Sequence, residues 1–132
     1  MKTIEVRTER RSQLVEITRE VREAAAGRAG AAVLVYVPHT TAAVAINERI
    51  DPELLLDLED GLERVVEDGW PWRHDDDDSP NGPSHLRSSL VGPQVLVPLR
   101  ADGELALGRY QGIFLCEFDG PRERSVYVTV VQ

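Results

Sequence analysis

The chain has 132 residues and a formal net charge of −8, enough for one domain, spanning residues 1–132, with a core of ordinary size. Its acidic balance excludes a nucleic-acid binder, which needs a basic face to displace counterions from phosphates. No apolar run approaches the roughly 20 residues of a membrane span, and the charged N-terminus has no apolar segment that would make a secretory signal; no membrane partner and a cytoplasmic address are expected.

Residues 2–8, KTIEVRT, alternate Ile4 and Val6 with charged residues, the period-2 pattern of a half-buried strand. Leu14, Val15 and Ile17 mark a second strand over residues 13–17, and the two are expected to pair as a hairpin. Thr18 then reads as the cap of a short helix, with Glu20 and Glu23 near its positive end and Gly27 and Gly30 closing it. Residues 31–38, AAVLVYVP, form an apolar β-branched run that predicts a strand buried on both faces. His39 follows at the strand end. Thr40, Thr41, Ala42 and Ala43 are small enough for other groups to approach, and a further strand runs from Val44 to Ile46, ending at Asn47 and Glu48.

Asp51 and Pro52 are a strong helix start, an N-cap followed by proline at the first helical position. Leu54, Leu55, Leu58, Leu62, Val65 and Val66 recur at helical spacing, and the acids among them, Glu59 included, read as a solvated face up to a stop at Gly69. A long segment from Trp72 to Gly92 has no hydrophobic periodicity and holds His74 and His85. Loops of that length in a compact domain are commonly functional or disordered. Trp70 and Trp72 read as anchors that pack the loop, with ligand stacking as the alternative. The four aspartates at 75–78 repel one another, so a mobile tip is expected there, with a cation site as the alternative. Ser84 is placed to cap a short helix, HLRSSLVG, closed by Gly92 and Pro93, which sets His85 and Ser89 on one face. QVLVPL, a return strand ELALG after the Asp102-Gly103 turn, YQGIFLCEF and SVYVTVVQ complete the strands. Cys116, alone of its kind and inside the apolar run IFLC, reads as a packed hydrophobe. The sum is an α+β fold, one compact domain of largely antiparallel sheet with two to three helices.

His39, His74 and His85 are the only histidines. Three imidazole nitrogens with a fourth position left open make the arrangement of catalytic zinc. Taken singly, each histidine is equally readable as a surface or structural residue. Thr40, Thr41, Arg87, Ser88, Ser89 and the backbone N–H groups opening the short helix supply donors for a phosphate or other oxyanion. A Ser-His-acid hydrolase would use the same residue types, but the chain has no G-x-S-x-G elbow, and neither a P-loop nor G-x-G-x-x-G is present.

VPHTTAAVAINE, the Asp-Pro-started acidic helix, Arg73-His74, N-G-x-x-H-L-R-S-S-L-V-G and LALGRYQGIFLCEFDGPRER follow one another from about Val37 to the C-terminus. In that order they resemble the YjbQ-like family of small proteins. The resemblance implies a cytoplasmic α+β homotrimer with a histidine pocket near its subunit contacts that holds a metal or an anion. It also implies a secondary thiamine-phosphate synthase activity, which joins hydroxymethylpyrimidine diphosphate to thiazole phosphate and releases pyrophosphate. Carried over by motif, His39 matches the histidine of HT[ST]A, His74 the one after the helix and loop, and His85 the one before K/R-x-S-L. Asn47-Glu48 match an N-E pair, Gln111-Gly112 a Q-G pair, and Glu117 the acid ending the penultimate strand. The residues expected in catalysis are therefore His39, His74, His85 and Glu117. The three histidines are expected to hold a divalent metal, zinc, whose occupancy falls below about pH 6 as imidazole is protonated. Thr40, Thr41, Asn47, Arg87, Ser88, Ser89 and Gln111 are expected to bind the ligand, a small phosphorylated metabolite or anion. The chain departs from the pattern in its long DDDD run and in Pro83-Ser84, where many relatives carry another histidine. A non-catalytic metal- or anion-binding trimer and a metal-assisted hydrolase of a small phosphorylated metabolite are the other readings.

Overall fold

The apolar strands sort into two antiparallel sheets that share one core. In the computed structural model, which describes residues 1–74 and 80–132, the order is β1 (Lys2–Arg7), β2 (Gln13–Glu16), α1 (Thr18–Ala25), β3 (Ala32–Tyr36), β4 (Ala42–Glu48), α2 (Pro52–Val65), α3 (Gly82–Val91), β5 (Gln94–Pro98), β6 (Gln111–Glu117) and β7 (Glu123–Val131). One sheet runs β1-β7-β3-β5 and the other β2-β6-β4. Val33 and Val35 of β3 and Val126 and Val128 of β7 pack with Val44 of β4, Ile113 and Leu115 of β6 and Val21 of α1. Each such side chain, fully buried, contributes about 1.5–3 kcal/mol. A second, smaller cluster joins Ala43, Cys116 and Phe118 to Leu14, Leu62 and Val91, seating α2 and α3 on the other face of the three-stranded sheet. The α+β expectation is met, and none of the helices among the described residues is long and apolar enough to cross a membrane. Burial pushes the Cys116 thiol up to about 12, as befits a packed hydrophobe.

The expected β1-β2 hairpin does not form. Thr3 of β1 lies opposite Tyr127 of β7, whereas Leu14 of β2 lies opposite Cys116 of β6. Thr8 enforces the separation: its N–H donates to the Arg122 carbonyl at 2.9 Å and its hydroxyl to Glu117 at 2.7 Å, so the chain is pinned before it can turn back. Thr18 does not cap α1. Its Oγ1 accepts the Ile113 N–H at 2.9 Å, and Ile17 is the N-cap. Ser84 likewise lies inside α3, donating to the Phe118 carbonyl at 2.5 Å, and Asn81 stands at the cap. The expected return strand reduces to a single bridge between Leu99 and Leu105. The expectation of a mobile tip at 75–78 concerns residues outside those described.

α2 begins as its sequence dictates, with the Asp51 carboxylate accepting the Glu53 N–H at 2.9 Å. It stops at Val65, before Gly69, because Arg87 of α3 donates to the carbonyls of Leu62, Glu63 and Val66 and so takes up its C-terminal acceptors. Nor are its acids all solvated. Glu59 is its one buried residue, accepting two bonds from Arg10 at 2.8 and 3.0 Å and the Leu14 N–H at 2.8 Å. Removing this carboxylate leaves the Leu14 N–H without its acceptor and releases the half-exposed Arg10 guanidinium to solvent. Glu59→Ala is expected to lower the unfolding free energy by about 2 kcal/mol in urea titrations, and Glu59→Gln by less.

Candidate functional site

The end of α3 is stitched to the start of β4, and that seam makes the site. The Val37 N–H donates to the Pro93 carbonyl at 2.8 Å, the Val44 N–H to Gly92 at 3.1 Å, and the Ser88 hydroxyl to Ala42 at 2.8 Å. Gly92 turns the chain there at φ 103°, a conformation that L side chains rarely adopt. His39, leaving β3 through Pro38, is thereby set across a cleft of about 330 Å³ from α3, lined by His39, Thr40, His85, Ser88, Ser89 and Pro93.

His39 accepts the Ser125 N–H on Nε2 at 2.9 Å. Burial, and then the charge of Arg124, hold its pKa below the usual 6.5. A neutral imidazole whose Nε2 accepts carries its proton on Nδ1, so His39 is a donor at its free nitrogen. His85 meets His74 edge to face, with ring centroids 5.0 Å apart. Those two line a second cavity of about 450 Å³ with Trp72 and Gly82, and a third of about 470 Å³ extends past Trp70 to Arg11 and Asp68. His85 and Ser89 are common to the first two cavities, and Trp72, His74 and Gly82 to the last two, so the three adjoin in a row that outlines a trough. A Cβ on Gly82 would lie 2.7 Å from the Trp72 ring, which shows how closely the indole sits on α3. The Trp72 Nε1–H donates to the Glu67 carbonyl at 3.1 Å, anchoring the loop.

The histidines are thus brought together in pairs, His39 with His85 across the cleft and His85 with His74 beside it. Among the described residues no group of three or more His, Cys, Asp or Glu side chains is placed to hold a metal ion. The lone pair of His39 Nε2 is already committed to Ser125, so the three imidazoles, as they stand, do not fit a shared zinc.

Of the other expected site residues, Thr40, Ser88 and Ser89 line the cleft and five do not. Arg87 has no exposed side-chain surface: its Nε and Nη2 donate to α2 and Asp68, and its Nη1 is buried with no hydrogen-bond partner among the described residues. Asn47 borders a separate apolar cavity of about 160 Å³, and Gln111 accepts the Gly108 N–H at 2.7 Å in the turn before β6. Thr41 is buried, its hydroxyl accepting from Arg124 at 2.8 Å. Glu117 is an ion-pair member: it accepts Arg124 Nε at 2.8 Å, a second contact from Arg124 Nη2, and the N–H groups of Phe118 and Asp119 at 3.1 and 3.0 Å. Burial pushes its pKa up, but the bonds from Arg124, Thr8 and Asp119 outweigh that and hold it below its usual value, leaving an ionised group with no proton to give. Arg124 and Ser125 were missed by the sequence reading. Their signal was register, because Arg124 alternates in phase with Val126 and Val128 and must point inward.

A family model described as UPF0047 protein YjbQ-like matches residues 2–132. The chain belongs to this family. The UPF0047 protein YugU of Bacillus subtilis (strain 168) is 38% identical over 135 residues, 99% of this chain and 98% of its own. A UPF0047 protein of Archaeoglobus fulgidus is 43% identical over 123 residues, 93% of this chain and 94% of its own. The crystal structure of an uncharacterized conserved YjbQ/UPF0047 protein from Clostridium acetobutylicum superposes with a TM-score of 0.91 at 32% identity, covering 99% of this chain and 100% of that one. The family and its fold are therefore established for this YjbQ-like chain.

The depressed pKa of His39 ties folding to pH. Above the unfolded value of about 6.5 the ring is neutral in both states. Below it the unfolded chain takes up a proton that the folded chain resists, so stability falls with pH until the folded pKa is passed. His39→Gln is expected to flatten the loss of thermal stability between about pH 7 and pH 5, read by calorimetry.

Proposed function

We propose that the cleft of this YjbQ-like protein binds a small phosphorylated metabolite or simple oxyanion. The observation that carries the reading is the Ser125 N–H bond to His39 Nε2, which leaves Nδ1 as the donor of a residue that lines the cleft. Thr40 adds an exposed hydroxyl, and the exposed Ser89 adds another when it releases the His85 carbonyl, to which it donates at 3.1 Å. A donor set of this kind suits phosphate oxygens. The finer reading is the secondary thiamine-phosphate synthase reaction, in which the same donors would stabilise charge on the departing pyrophosphate. A cytoplasmic address goes with such a metabolite.

Zinc is the rival occupant. It would use His74 and His85, and it needs His39 to give up Ser125 before it can complete a three-nitrogen set. Titration calorimetry with inorganic phosphate near neutral pH, alongside elemental analysis of the purified protein, separates the two. The anion reading expects phosphate binding that weakens about tenfold in His39→Ala, with zinc well below one per chain. One zinc per chain that is lost in His39→Ala, His74→Ala and His85→Ala alike would install the metal centre instead. Release of pyrophosphate from the pyrimidine diphosphate and thiazole phosphate pair tests the finer reading.

We further propose that the protein is a homotrimer joined through the outer face of its four-stranded sheet. Leu34 lies opposite Leu96 there, and Tyr36 stacks on Tyr127 at 6.4 Å. Leu96 is 60% exposed, an apolar surface that favours cover by another chain. Sedimentation equilibrium is expected to return three times the 14.7 kDa chain mass, and Leu96→Glu a monomer. A monomeric parent protein would overturn this assembly.

A further inference from the structure

We infer that the buried Glu117–Arg124 pair, with Thr8 and Thr41, forms a positioning clamp that sets the place and the donor face of His39. The inference deepens the anion-site reading of the cleft and rests on it.

Two consecutive residues of β7 hold the two ends of the segment that carries His39. Arg124 Nη2 donates to the Thr41 hydroxyl at 2.8 Å and to the Thr41 carbonyl at 3.3 Å. Ser125 donates its N–H to His39 Nε2 at 2.9 Å. Residues 39 and 41 therefore move with β7 as one unit. Arg124 in turn cannot shift, because its side chain is 5% exposed and that of Glu117 is 0% exposed. A pair so deeply buried persists only when its remaining donors and acceptors are met. Glu117 meets them with the Thr8 hydroxyl at 2.7 Å and the backbone N–H groups of Phe118 and Asp119. Thr8 Oγ1 also accepts the Arg122 N–H at 2.9 Å, so the end of β1 is bound into the same knot. The packing leaves no slack: a Cβ on Gly120 would lie 2.9 Å from both Glu117 Cγ and Thr8 Oγ1 and 2.2 Å from the Arg10 carbonyl.

Glu117 thus acts on the cleft at second hand. Every acceptor direction it has is in use, and it touches neither the cleft nor His39. A merely structural pair would cost stability when weakened and leave the imidazole as it was. A clamp, when loosened at Thr41, would free the Ser125 bond and let both ring tautomers appear.

The test compares Thr41→Val with Thr41→Ser, reading the ¹⁵N shifts of the His39 ring at neutral pH and the phosphate affinity by calorimetry. In the wild type we expect a protonated Nδ1 and a bare Nε2. Thr41→Val removes one acceptor of Arg124 at nearly constant volume, and it is expected to mix the tautomers and weaken phosphate binding about tenfold. Thr41→Ser keeps the hydroxyl and is expected to restore both. Glu117→Gln should act in the same direction, but it leaves Arg124 unpaired and threatens folding, so the Thr41 pair decides. A wild-type ring pattern in Thr41→Val overturns the clamp, as does equal impairment in Thr41→Ser. Failure of the wild type to bind phosphate would sink the anion reading alone, and the ring pattern in Thr41→Val would still decide the clamp.

Discussion

The contact on which most of the structure depends is the ion pair between Glu117 and Arg124. It lies where the end of β6, the start of β7, the connection after β1 and the segment before β4 converge, so it joins the four-stranded sheet to the three-stranded one. Such a contact gives little net stability, because taking two charges out of water costs about what their attraction returns. What it supplies is uniqueness. Few arrangements of these four segments satisfy both charges, and the one adopted also sets the relation of β7 to His39.

Above this knot the chain builds its site from helix ends and strand ends. α3 does two tasks with opposite faces. His85 and Ser89 look into the cleft, while Arg87 points back to close the C-terminus of α2. Ser88 fastens the helix to β4 through the Ala42 carbonyl. The trough therefore has a rigid wall on one side, and on the other a loop anchored by Trp72 on Gly82.

Much of the fold was legible in the sequence, because local signals agreed with tertiary ones. Asp51 and Pro52 started α2 and Gly92 ended α3, whereas β3, expected to be buried on both faces, buries its valine face and leaves Tyr36 exposed on the other. Partner choice was not legible. Period-2 alternation tells which face of a strand is buried but not which strand lies beside it, so β1 and β2 were paired with each other although Thr8 sends them to different sheets. At the site, small polar residues were assigned by neighbourhood in the sequence. Two residues apart on a helix, His85 and Arg87 face nearly opposite ways, and that offset alone argued against a shared ligand. The three histidines were expected to converge and lie instead as two neighbouring pairs, and a motif match carries no information about which ring nitrogen is already engaged, as Nε2 of His39 is by Ser125.

The placement of the tryptophans has an optical consequence. The chain contains only two, Trp70 and Trp72, stacked at 5.5 Å on the rim of the trough. Indole emission from this protein therefore reports a single locality. A shift in its wavelength or intensity tracks events at the mouth of the trough, without a label and without interference from the core.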